Sequence, residues 1–138
     1  DEIFPVMALL EGRCAAEAAA KASPADIARL SEIHEALEQH AAANDADRFF
    51  DANQRFHSAL QELAGNNWLR QLIEETRKFI KLTRRDSLNL EGRLKQSLNE
   101  HRAILAAIRR GDADLAAALM HDHILSGRTA VAHLQTAR

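Results

Sequence analysis

Residues 94–111 read LKQSLNEHRAILAAIRRG, and the reading of this stretch decides the fold. Leu94, Leu98, His101, Leu105 and Ile108 follow one another at alternating spacings of four and three residues. A helix with 3.6 residues per turn therefore lays all five on one stripe. Four are large aliphatic residues, and the central one is a histidine where an ordinary core helix would carry Leu. Gly111 closes the helix and Asp112 offers a cap for the next one, which continues nearly to the C-terminus with Leu119, Met120, His123 and Gly127 on one face. Upstream, residues 86–92 are the only stretch that looks like a longer loop.

The same periodicity recurs back to the N-terminus. A fourth helix begins near Trp68 and carries Leu69, Leu72, Ile73, Thr76, Ile80 and Thr83. A third runs from about Ala46 to Ala64 with Phe49, Phe56, Leu60 and Leu63, closed by Gly65-Asn66-Asn67. A second runs from Pro24 to about Ala43 with Ile27, Leu30, Ile33 and Leu37, and Ser23 is its expected cap. The first, from about Glu2 to Ala22, presents Ile3, Met7, Leu10 and Cys14. Only two prolines and five glycines punctuate the chain, and no β-branched residues alternate with polar ones over a strand's length. The pattern predicts an all-α fold, an antiparallel bundle of six helices forming a single domain over residues 1–138, with the first two helices as antiparallel neighbours because their connection is short.

Composition narrows the function. With 18 basic and 20 acidic residues and no long run of either sign, the chain lacks the electrostatic footprint that grips nucleic acid. No apolar run approaches the roughly 18 residues of a membrane span. A signal-peptide pattern is also missing at the N-terminus. A single cysteine, Cys14, excludes an internal disulfide and fits a reducing cytoplasm, with the thiol buried on its stripe.

Three helices aim an imidazole inward: His57 from the third, His101 from the fifth and His123 from the sixth. Asn53 lies one turn before His57 on the stripe of Phe49, Phe56 and Leu60, so its amide points inward with it. A buried imidazole must find partners for its ring nitrogens, because an unsatisfied polar group inside costs about 1–3 kcal/mol. One such residue is ordinarily a hydrogen-bonded core histidine; three on three core stripes point to a shared divalent metal, zinc, nickel or a similar transition ion, with an amide oxygen completing the set. Four neutral ligands leave the ion its full double charge, which draws in an anion such as a small carboxylate. Arg77, Arg84 or Arg85 on the fourth helix is placed to fork onto it, Arg77 nearest the buried face, with Thr76 beside it. The bland reading of these arginines is solvated charge.

The other polar residues read as incidental. His34 and His40 fall on or near the polar side of the second helix, His121 faces away from His123, and His133 lies at a stripe edge. Glu11, Glu75 and Glu100 read as solvating glutamates, so that a general base beside the histidines is missing, and Trp68 reads as a packing residue at a helix start. No nucleophile motif, phosphate loop or paired catalytic carboxylates emerge.

The segments Asn53-Gln54-Arg55-Phe56-His57-Ser58-Ala59-Leu60, Gly65-Asn66, Glu100 to Ile108 with Gly111-Asp112, and Met120 to His123 together resemble the C-terminal FCD domain of GntR-family transcription regulators, of the FadR/VanR type. The resemblance covers essentially the whole chain. It implies an antiparallel helical bundle, metal ligands falling on Asn53, His57, His101 and His123, homodimerisation, and DNA binding through an N-terminal winged helix-turn-helix outside this sequence, relieved by a small organic acid. Many relatives carry Asp where this chain has Asn53, and Arg where it has Met7 ahead of Leu10-Glu11. The expected function is a sensor and not an enzyme: metal and carboxylate effector bind in the bundle and control DNA binding allosterically. Two other readings stand beside it, a metal-dependent hydrolase-like protein with open coordination positions, and a metal-free helical dimerisation module.

Overall fold

The computed structural model describes residues 2–136, without the side chains of residues 82–84, 135 and 136. Among the described residues there are six helices and no strand: α1 (Ile3–Lys21), α2 (Pro24–Ala42), α3 (Ala46–Ala64), α4 (Asn67–Ser87), α5 (Arg93–Arg109) and α6 (Ala113–Thr136). The all-α bundle expected from periodicity is what the chain forms.

Local chemistry sets the boundaries. Ser23 Oγ accepts from the Asp26 amide at 3.1 Å while Asp26 Oδ2 accepts from the Ser23 amide at 2.9 Å, a reciprocal capping box with Pro24 at the first helical position. Asp45, Asn66 and Asp112 each accept one amide of the helix that follows, from Arg48, Leu69 and Leu115 at 3.0–3.1 Å. Gly65 ends α3 at φ 68°, a left-handed conformation that a side chain would strain.

Contacts across the bundle give each pair its direction. Gly12 of α1 lies against Ala117 of α6 and Ala19 lies against Gly111, so α1 and α6 run antiparallel. A Cβ at Gly12 would stand 3.2 Å from the Ala117 carbonyl oxygen, and glycine there lets the two helices approach closely. Arg29 meets Glu62 and His34 meets Phe56 between antiparallel α2 and α3. Glu38 meets Arg102 and Ser31 meets Arg109 between antiparallel α2 and α5. The core between them is built on Phe49, Phe56, Leu60, Ile104, Met120 and Ile124, all fully buried.

Two expectations are corrected. α1 packs along α6 and α2 packs on α3 and α5, so the first two helices share no broad contact. Ala22 at ψ 125° and Ser23 at ψ 166° are extended, which carries the chain away from α1 before α2 begins. Trp68 is 75% exposed and does not pack at the start of α4, because it sits on the outward face, away from Ile73.

Replacing Ser23 by Ala removes an exposed cap and is expected to lower stability by about 1 kcal/mol. Chemical denaturation of the two proteins, with an unchanged slope, measures it.

Candidate metal centre

His57 from α3, His101 from α5 and His123 from α6 meet in the interior, at 2%, 0% and 1% exposure. One ring nitrogen from each lies within 4.8 Å of the others. The His101 ring stands edge-on to His123 with centroids 4.6 Å apart and to His57 at 5.3 Å, while His57 and His123 are stacked at 5.7 Å. Phe56 and Phe49 close one side, with centroids 5.0 and 6.5 Å from that of His101. Periodicity alone placed all three rings inward; their meeting at one point is a property of how α3, α5 and α6 cross.

Asn53 is 5% exposed, one turn before His57, and its Oδ1 is buried with no hydrogen-bond partner among the described residues. A buried carbonyl oxygen left in that state costs about 1–3 kcal/mol. Three imidazoles and an orphaned amide oxygen form a donor set of borderline-soft nitrogen and hard oxygen that suits a transition-metal dication, and the residues present therefore fit such an ion.

Two glutamates read from the sequence as solvating are instead part of the centre. Glu11 of α1 is 2% exposed, and its Oε1 lies 2.9 Å from His57 Nδ1 and also takes a hydrogen bond from the Arg77 guanidinium. Glu100 of α5 repeats the arrangement: its Oε1 lies 2.6 Å from His123 Nδ1 and 3.3 Å from Arg93 Nη1. Each carboxylate thus joins a histidine to an arginine. An imidazole that donates through Nδ1 carries its lone pair on Nε2, so the Glu100 contact favours that tautomer at His123, while Glu11 stands at ion-pair distance from His57 Nδ1. The arginines offset the carboxylate charge. Local sequence offered one clue for Glu11, which shares the inward stripe of Met7, Leu10 and Cys14 by spacing.

The remaining sequence candidates are distributed as follows. Arg77 lies on the buried side of α4 as expected, with a second hydrogen bond from Nη1 to Gln54 Oε1 at 2.8 Å, so its guanidinium already holds two partners. Thr76 Oγ1 donates to the Ile73 carbonyl of its own helix at 2.8 Å. The side chain of Arg84 lies outside the described residues. Arg85 sits over the Phe50 ring and reaches Asp51 at 3.3 Å. His34, expected on the polar side of α2, is 8% exposed, because the ring turns between α3 and α5 with its edge toward Phe56 and Glu38 beside it. Burial holds its pKa below the usual histidine range, against the opposing pull of Glu38. Cys14 is buried as expected, and desolvation, helped by Glu11, pushes its thiol up to about 12. Met7, at the position where relatives were expected to carry Arg, is wholly buried in the apolar core.

Residues 2–126 match the family model of the FCD domain, and the chain belongs to that family. Its structure is similar to that of Escherichia coli McbR/YncC, with a TM-score of 0.88 and 20% identity over 98% of this chain and 65% of that one. It is also similar to Streptococcus agalactiae GntR, with a TM-score of 0.78 and 27% identity over 93% of this chain and 57% of that one. This chain spans less than two thirds of the length of either. No curated protein matches it significantly. No described helix is long and apolar enough to cross a membrane.

The Nδ1 contacts generate a direct expectation. In metal-free protein near neutral pH, long-range nitrogen–proton NMR correlations should report His123 with the proton on Nδ1. Glu100→Gln should remove that preference at His123 and leave His57 as it was; an unchanged His123 spectrum would refute the assigned role of Glu100.

Proposed function

We propose that this chain is the effector-sensing domain of a GntR-type transcription regulator, holding a divalent transition metal on Asn53, His57, His101 and His123 and reading a small carboxylate. The observation that carries the reading is the convergence of three buried imidazoles from α3, α5 and α6, two of them braced through Nδ1 by carboxylates. When bound, such an ion supplies a concentrated positive charge that attracts and orients a carboxylate. The protein's own part is to present nitrogens of fixed tautomer in a water-poor pocket. Arg77 stands at the edge of this site through Glu11, so an acid arriving there competes with Glu11 for the guanidinium. That exchange would loosen the tie between α1 and α4 and give the bundle two states, the requirement for signalling to DNA-binding domains outside this sequence.

A sensor fits better than an enzyme. Glu11 and Glu100 are near the histidines, but each already contacts an imidazole and an arginine through the same oxygen, so neither is placed as a base for water at an open position. Elemental analysis of protein purified without added metal should find about one transition-metal ion per chain. His101→Ala should lose most of that metal, and undiminished content would remove His101 from the ligand set. Thermal-shift screening of small carboxylic acids on the loaded protein should find a lasting stabilisation, about 2.7 kcal/mol at a hundredfold excess over Kd. Disappearance of the acid with time would favour the hydrolase reading, and no metal at all would favour the dimerisation module.

The assembly we propose is a homodimer. Val6 and Leu9 on α1 and Leu72 and Phe79 on α4, two helices that pack together, are 46–83% exposed, an apolar face unusual for a monomer. A second copy related by a twofold axis would cover it with its own equivalent, the arrangement most homo-oligomers use. Phe79→Glu should convert the dimer to monomer in sedimentation velocity while leaving the helical circular-dichroism spectrum in place. A wild-type chain that sediments as a monomer at tens of micromolar would overturn this assembly.

A further inference from the structure

The three histidines are nearly sealed from solvent, so an ion needs a way to reach them. A cleft of about 520 Å³ between α5 and α6 has His123 and Glu100 in its wall. The cavities beside Arg93, Asn44 and Trp68 touch none of the three histidines. The two histidine–glutamate–arginine arrangements are alike in chemistry but differ in access. The Glu11 side chain is 3% exposed and that of its arginine 12%, whereas the Glu100 side chain is 22% exposed and borders the cleft. Solvent thus meets the centre at Glu100, whose Oε1 lies 2.6 Å from His123 Nδ1.

The wall of the cleft selects by charge. Lys95 is the one cation among the lining residues, Arg93 reaches Glu100 from beside the cleft and Arg102 takes the Asn99 amide oxygen, which leaves the carboxylates of Glu100 and Asp122 and the amide oxygen of Gln96. These are the hard oxygen donors that replace a cation's waters one by one, and an organic anion would meet two like charges there. Ala103, whose side chain is only a methyl group, helps keep the cleft open.

We infer that the α5–α6 cleft is the loading route for the divalent ion, with Asp122 and Glu100 as the oxygen ligands that receive it before His123. This rests on the metal reading above. A route alters the barrier and not the end states, so blocking it slows uptake and release by the same factor and leaves equilibrium affinity unchanged.

Ala103→Trp fills the cleft from an exposed helix position, and Ala106→Trp, exposed on the same helix outside the cleft, is the control. Cobalt(II) uptake would be followed by its visible absorption in stopped flow, and release by extraction with excess EDTA. The plug should slow both about tenfold with Kd unchanged, while the control behaves as wild type. Equal rates in plug and control, or a plug that changes Kd and only one of the rates, would overturn the route. Asp122→Lys gives an independent test, since its side chain is exposed and far from structural need: it should slow uptake in low salt and lose that effect in high salt. Unaltered uptake in low salt would count against the inference equally. A wild-type chain that takes up no cobalt refutes instead the metal centre itself, and the two failures are thereby told apart.

Discussion

An imidazole placed in an apolar bundle must be satisfied there, and this requirement organises the molecule. Glu11 and Glu100 meet it for His57 and His123, and each carboxylate is in turn held by an arginine. The ties run between helices: α1 to α3 and α4, distant in sequence, through Glu11, and α6 to its predecessor α5 through Glu100, which Arg93 holds from two turns earlier on the same helix. Removing one partner of a buried ion pair typically costs about 3–5 kcal/mol because the other is left uncompensated. Polar groups that look like a liability in the core therefore specify how its helices cross.

The same groups connect fold to function. A bundle stabilised by apolar contact alone would tolerate many packings, whereas buried carboxylates that must each stand against an imidazole and an arginine permit few. One ring nitrogen of each histidine already lies within 4.8 Å of the others, which limits the reorganisation that a shared ligand would demand. Glu11 on Arg77 gives the proposed effector a competitor already in place, and displacement of a carboxylate by a carboxylate needs little change in shape.

Much of the architecture was legible along the chain because helices are local. Ser23-Pro24 and Asp112 act within one turn, and these caps form where the sequence places them. His101 stood out because an imidazole interrupts a row of aliphatic residues, and its neighbours Leu98 and Leu105 are buried with it. The pairing of α1 with α6 was not legible. It joins the two ends of the sequence, and the short α1–α2 connection pointed to the wrong neighbour, since two extended residues suffice to redirect a helix. His34 and Trp68 were misplaced for a related reason: periodicity gives a helix face, but which faces are covered depends on the helices that arrive later.

By itself, the sequence determined the helices, their ends and the inward direction of Asn53, His57, His101 and His123, because hydrogen bonding and side-chain direction within a helix depend on residues at most four apart. Only the tertiary structure decided that the three imidazoles meet and that Glu11 and Glu100, each held by an arginine, stand against two of them. A glutamate's burial and partners are set by chain segments as far as 66 residues away, as Arg77 is from Glu11, and no local pattern encodes that distance.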